Sequence, residues 1–183
     1  PNIGMVDLQA ESMGIPLVSV SSEGVKEKEL LDLKNALMKA KGEYGIEGIV
    51  TGALFSTYQR DRIERVADEL GLKVFAPLWH KDQEVEMREL IKKGFDVIIS
   101  SVASDGLDES FLGRKVDESL LNDLLKINKK TKINLAFEGG EAETLVLDCP
   151  LFNSKIKILK AEKEMDGEFS GRYNVIEVKL TKK

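Results

Sequence analysis

The chain has 183 residues with 27 basic against 32 acidic side chains, a net charge of −5, one Cys and one His. These numbers exclude an internal disulfide, a multi-thiolate zinc cage and any paired-His metal motif, and the acidic balance argues against general nucleic-acid binding, which rests on phosphate neutralisation. No apolar run approaches the ~18 residues of a membrane helix, and the lone Cys149 points to a reducing, cytoplasmic setting.

Val6–Met13 reads as a helix closed by Gly14, with Ile15-Pro16 unable to continue it. Leu17–Val20 follows as a short apolar strand. Glu27–Lys41 predicts a helix, since Leu30, Leu33, Leu37 and Ala40 recur at helical spacing, and Gly48–Thr51 a buried strand. Ser56 is placed to cap the next helix, with Gln59 three residues on completing a capping box. Ile63, Val66, Ala67 and Leu70 form its apolar stripe and Gly71 ends it. Lys73–Ala76 is a strand stopped by Pro77, Asp82 caps a helix running to Gly94, and Asp96–Val102 is a strand dense in Val and Ile. Strands alternating with helices predict a parallel sheet with right-handed crossovers.

Beyond Ala103–Gly113 the rhythm changes. Asp117–Lys129 reads as a helix, Ile133–Phe137 as a strand, Glu138–Glu141 as a turn and Thr144–Cys149 as a strand stopped by Pro150. Two longer strands follow, Lys155–Lys163 and Tyr173–Leu180. Consecutive strands with turn signals indicate a smaller antiparallel α+β unit. The expected division is therefore 1–105 as a nucleotide-binding α/β domain and 106–183 as a C-terminal α+β domain.

Two segments carry the chemistry. The first, Thr51–Arg62, lies where a strand ends and a helix begins, the place where open α/β sheets bind ligands. Gly52 would let a ligand approach the backbone closely, and helix N–H groups are free to meet an anion. Arg60 can pair with Glu64 and Asp61 with Arg65 one turn on. Arg62 has Val66 at that spacing, which makes it the phosphate candidate. The second segment, Glu138-Gly139-Gly140-Glu141-Ala142-Glu143, sets three carboxylates around a glycine pair, and their repulsion costs stability unless a cation or donors face them. A solvated turn, magnesium ligation, a general base and a pocket for a cationic substrate all fit it. Trp79 and His80 are the only Trp and His; Trp79 offers a stacking or cation–π face, whereas His80 reads as a surface residue. Cys149 reads as packing.

Together the segments resemble one family. Leu8-Gln9-Ala10-Glu11, Gly48-Ile49-Val50-Thr51-Gly52-Ala53 with Ser56, Tyr58-Gln59-Arg60 and Arg62, Leu78-Trp79, and above all Glu138-Gly139-Gly140-Glu141 with Glu143-Thr144 look like the diphthine–ammonia ligases, which are N-type ATP pyrophosphatases. The resemblance implies a Rossmann-like PP-loop (HUP) parallel sheet and an ATP-dependent amidation of diphthine on translation elongation factor 2. In that reaction the substrate carboxylate is adenylated, pyrophosphate leaves, and ammonia displaces AMP. ATP and Mg²⁺ are the implied cofactors, elongation factor 2 and ammonia the implied partners; a homodimer stays open, and neither nucleic acid nor membrane is implied.

By the same resemblance, Gly52, Ala53, Ser56 and Arg62 would hold the nucleotide. Tyr58, Gln59, Trp79, Gly139 and Gly140 would meet the substrate, with Glu138, Glu141 and Glu143 as catalytic carboxylates and no protein metal ligands. The trimethylammonium group of diphthine would sit between the acidic turn and the ring of Trp79 or Tyr58. The family's Ser-Gly-Gly-Lys-Asp-Ser phosphate loop is not found in the sequence, so the resemblance implies a leading segment upstream of Pro1. A chain without that loop would instead be a nucleotide-binding or scaffolding domain without turnover.

Overall fold

The computed structural model describes residues 1–23 and 29–183, without the Gln59 side chain. The expected helix start at Glu27 and the Gln59 arm of the capping box therefore lie outside the described residues. In chain order the elements are α1 (Met5–Met13), α2 (Glu29–Tyr44), β1 (Gly48–Val50), α3 (Thr57–Glu69), β2 (Lys73–Phe75), α4 (Gln83–Lys92), β3 (Asp96–Ala103), α5 (Glu118–Thr131), β4 (Ala142–Asp148), β5 (Ser154–Gly167) and β6 (Ser170–Lys182). They form two compact units, Pro1–Pro16 with Asp82–Lys183, and Leu17–Lys81. Residues 103–116, where the change of rhythm suggests a boundary, lie inside the first of these. Mixed α/β architecture is present in both its parallel and its antiparallel form.

The larger unit is built on an antiparallel sheet in the order β4-β3-β6-β5. Asp82 and Asp117 start α4 and α5 as N-caps, accepting the N–H groups of Val85 and Leu120 at 3.0 and 2.8 Å. Helix α5 then turns Leu120, Leu121 and Leu124 into the core, where all three are fully buried among Ile99, Val102, Leu107 and Leu112. Each such burial contributes roughly 1.5–3 kcal/mol. At the other side, α1 closes on Gly14 in the left-handed conformation and packs Leu8 and Met13 against Cys149, Phe152 and Ile156.

Three expected elements differ. Strand β3 exists but pairs antiparallel with β4 and β6, so it does not extend a parallel sheet. Leu17–Val20 forms no strand. Ile133–Phe137 forms none either, although Ile133, Leu135 and Phe137 are buried in alternation as a strand would bury them. Its N–H groups bond to side chains instead: Asn134 to Glu141, Leu135 to Gln83, and Ala136 to the Asn134 side chain, at 2.8–2.9 Å.

The smaller unit is a βαβ arrangement. β1 and β2 pair in parallel, with Gly48, Ile49 and Val50 opposite Lys73, Val74 and Phe75. Helix α3 buries Val66 and Ala67, and α2 has no fully buried residue. Val50 and Phe75, partners across the strand pair, are 74% and 63% exposed, so β1 is not the buried strand that its apolar centre suggests.

Candidate functional site

In the smaller unit the chain leaves β1 into the loop 51–56 and enters α3 at Thr57. A cleft of about 600 Å³ opens at this carboxyl end of the strand, walled by Thr51, Gly52, Ala53 and Ser56, by Tyr58 and Arg62 from α3, and by Glu29, Leu30 and Leu33 from α2. That volume falls in the range of small-molecule sites, roughly 300–1,000 Å³. A Cβ placed on Gly52 would meet no protein atom within 4 Å, so glycine keeps space open beside the backbone. The Thr51 hydroxyl is buried without a hydrogen-bond partner among the described residues.

Arg62 is not the lone cation that its spacing suggests. Its guanidinium lies 3.4 Å from Glu29, thirty-three positions earlier in the chain, and donates to the Tyr58 hydroxyl while sitting 4.4 Å from the Tyr58 ring centroid. Arg60 pairs with Glu64 at 2.6 Å as expected, and its guanidinium also covers the Trp79 indole at 4.8 Å. Both rings nominated for a substrate trimethylammonium thus already carry an arginine of this chain.

Behind β2 the chain turns through Pro77–Lys81. His80 sits at φ 62°, in the left-handed region, where a non-glycine residue costs of order 1–3 kcal/mol. Its N–H donates to the Leu54 carbonyl at 2.8 Å. Its imidazole stacks on Phe55 at 5.5 Å and on Trp79 at 4.9 Å, with interplanar angles of 13° and 28°. His80 is exposed, as the sequence reads it, and from the surface it joins the loops that follow β1 and β2.

The acidic turn belongs to the larger unit, and donors offset its charge. The Glu141 carboxylate accepts the N–H groups of Asn134 and Gly139 at 2.8 and 2.9 Å, one on each oxygen. A Cβ on Gly139 would lie 2.7 Å from that carboxylate, so glycine is what permits the approach. Gly140 at φ 82° and Phe137 at φ 62° close the turn, the Gly140 N–H donating to the Phe137 carbonyl. Glu143 is on the exposed side of β4, and Glu138 precedes the glycine pair.

The structure therefore brings Gly52, Ala53, Ser56, Tyr58 and Arg62 to one cleft, and Glu138, Gly139, Gly140 and Glu141 to one turn, with Glu143 on the strand that follows. Sequence reasoning misses Glu29, Leu30, Leu33 and Ile63 as cleft residues. The leucines read only as a packing stripe, and Glu29 gives no local signal. Among the described residues no group of three or more His, Cys, Asp or Glu side chains is placed to hold a metal ion, and no helix is long and apolar enough to cross a membrane.

Comparison with known proteins finds two matches to family models, the diphthamide synthase N-terminal domain over residues 1–74 and the diphthamide synthase C-terminal domain over residues 82–180. Proteins named diphthine–ammonia ligase are similar along most of the chain. The one from Schizosaccharomyces pombe is 43% identical over 134 residues, which is 73% of this chain and 22% of that protein. Those from Bos taurus and Homo sapiens are 39% and 38% identical over 169 residues, 86% of this chain and 63% of each relative. The chain thus spans less than two thirds of the length of these relatives.

Proposed function

The chain belongs to the diphthamide synthase family, and from that premise we propose that it takes part in the ATP-dependent amidation of diphthine to diphthamide. The carboxylate oxygen of diphthine attacks the α-phosphorus of ATP, pyrophosphate leaves, and ammonia then adds to the acyl carbon and expels AMP. A free carboxylate is a poor acyl donor; adenylation converts its oxygen into part of a leaving group. The modified protein is translation elongation factor 2, and the reaction belongs to the cytoplasm.

The observation that carries this reading is the cleft at the end of β1, where Gly52 leaves room against the backbone and the buried Thr51 hydroxyl lacks a partner among the described residues. Gly52, Ala53 and Ser56 would hold the nucleoside, with apolar support from Leu30 and Leu33. The guanidinium in the cleft wall, Arg62, is shared with Glu29, so this lining suits a nucleoside better than three phosphates. Mg²⁺ would come bound to the phosphates, its usual mode, rather than in a protein cage. On the larger unit, Glu138 and Glu143 are the carboxylates for the diphthine side. Tyr58, Gln59 and Trp79 are the substrate-side residues of the smaller unit. Glu141 shapes the turn that Gly139 and Gly140 form.

The test is pyrophosphate release from ATP measured with and without diphthine-bearing factor and ammonia. Release that needs the diphthine-bearing factor, and continues past one turnover only with ammonia, supports the ligase. ATP binding with no release under any of these conditions would leave a nucleotide-binding domain without turnover. Gly52→Val should block nucleotide binding by filling the space beside the backbone.

A further inference from the structure

We propose that His80 is a positioning residue for the nucleotide cleft, which deepens the reading of that cleft given above and rests on it. The loop 51–56 supplies four of the cleft's lining residues, and its other two, Leu54 and Phe55, which do not line the cleft, are held by groups from elsewhere in the smaller unit. Leu54 is buried and its carbonyl accepts the His80 N–H. Phe55, next along, has its ring against the His80 imidazole, and Trp79 stacks on the same imidazole. Arg60, from the first turn of α3, lies over Trp79.

Phe55, His80, Trp79 and Arg60 are thus joined in a run of ring and guanidinium contacts across the ends of β1 and β2. The stack ties the loop before α3 to the loop after β2 and to α3 itself. A short parallel strand pair with three residues in each strand does little to fix the loops beyond it. The left-handed backbone at His80 serves this link, because the N–H meets the Leu54 carbonyl while the ring stacks on Phe55 and on Trp79. Ser56 and Ala53 flank the tethered pair Leu54-Phe55, so the stack determines where the cleft wall stands.

The molecule carries its own probe, because Trp79 is the only Trp. His80→Asn keeps a residue that adopts positive φ and keeps the N–H, but removes the ring. It should shift Trp79 emission in the free protein and weaken binding of AMP about tenfold, the loss expected when an aromatic contact no longer orders the site. His80→Phe restores a ring to stack on Phe55 and Trp79, and Phe137 at φ 62° shows that this chain accommodates phenylalanine in the left-handed region. That variant should bring AMP affinity back to within about threefold of the native protein. Native-like AMP affinity in His80→Asn would overturn the positioning role alone. Absence of AMP binding by the native protein would overturn the reading of the cleft, and the role of His80 with it.

Discussion

The two units bury their side chains very differently. In the larger, α5 sets three leucines at zero exposure against a four-stranded sheet. In the smaller, α2 has no fully buried residue and a two-stranded sheet shows Val50 and Phe75 to solvent. Parallel strands are ordinarily covered on both faces. The contrast teaches that the antiparallel unit carries its own stability, whereas the parallel one holds a cleft with little core behind it. Low local stability is where ligand-binding loops are commonly found.

Core truncation gives the largest expected effect. Leu121→Ala should cost about 2–5 kcal/mol because it leaves a cavity in a closed core, whereas Leu33→Ala in α2 should cost less than half of that. Urea unfolding followed by Trp79 emission reports the smaller unit and far-ultraviolet dichroism reports both, so the emission midpoint should come first. Coincident midpoints would break the comparison.

A smaller loss is expected at the acidic turn. Glu141→Ala removes the acceptor of two backbone N–H groups and should cost about 1–3 kcal/mol. Hydrogen exchange at the Asn134 and Gly139 amides should speed up, with β5 and β6 unaffected.

Acid should act on the larger unit through Asp148. Burial pushes its carboxyl pKa up, but hydrogen bonds and charges from Lys183 and Lys155 outweigh this and hold it below the ordinary value. A depressed folded pKa gives stability that is fully present above the unfolded value, about pH 4, and lost as pH falls through the folded one. Asp148→Asn should therefore flatten the acid limb of a melting-temperature profile. Smallest of all, Glu64→Gln should leave the melting temperature unchanged within error, since the Arg60–Glu64 pair is solvated.

Local chemistry is legible in the sequence, and distant pairing is not. Asp82 is recognisable as a cap because the donor it satisfies lies three residues away. Ile133–Phe137 reads as a strand because alternating burial is what a strand shows; its bonding to Gln83 and Glu141 leaves no trace in periodicity. Periodicity extends the parallel sheet wrongly to β3 because the true neighbours of that strand, β4 and β6, begin about forty and seventy residues later. At the cleft, the strand-to-helix junction is enough to find the loop after β1. Glu29 as the partner of Arg62 and His80 as the partner of Phe55 are hidden, since both contacts are made only by the tertiary fold.

The larger unit is interrupted in the chain, with Leu17–Lys81 inserted between α1 and α4. Asn2 donates to the Tyr173 carbonyl and accepts from the Val175 N–H, contacts that span 171 and 173 positions. During synthesis on a ribosome, α1 is made before β5 and β6 and must wait for both. At ~5–20 residues per second that wait lasts about ten to thirty seconds, while the inserted unit, whose strand pair and helices lie close together in sequence, is already made. The order of translation thus favours a chain whose cleft loops form before the sheet that flanks them in sequence has closed.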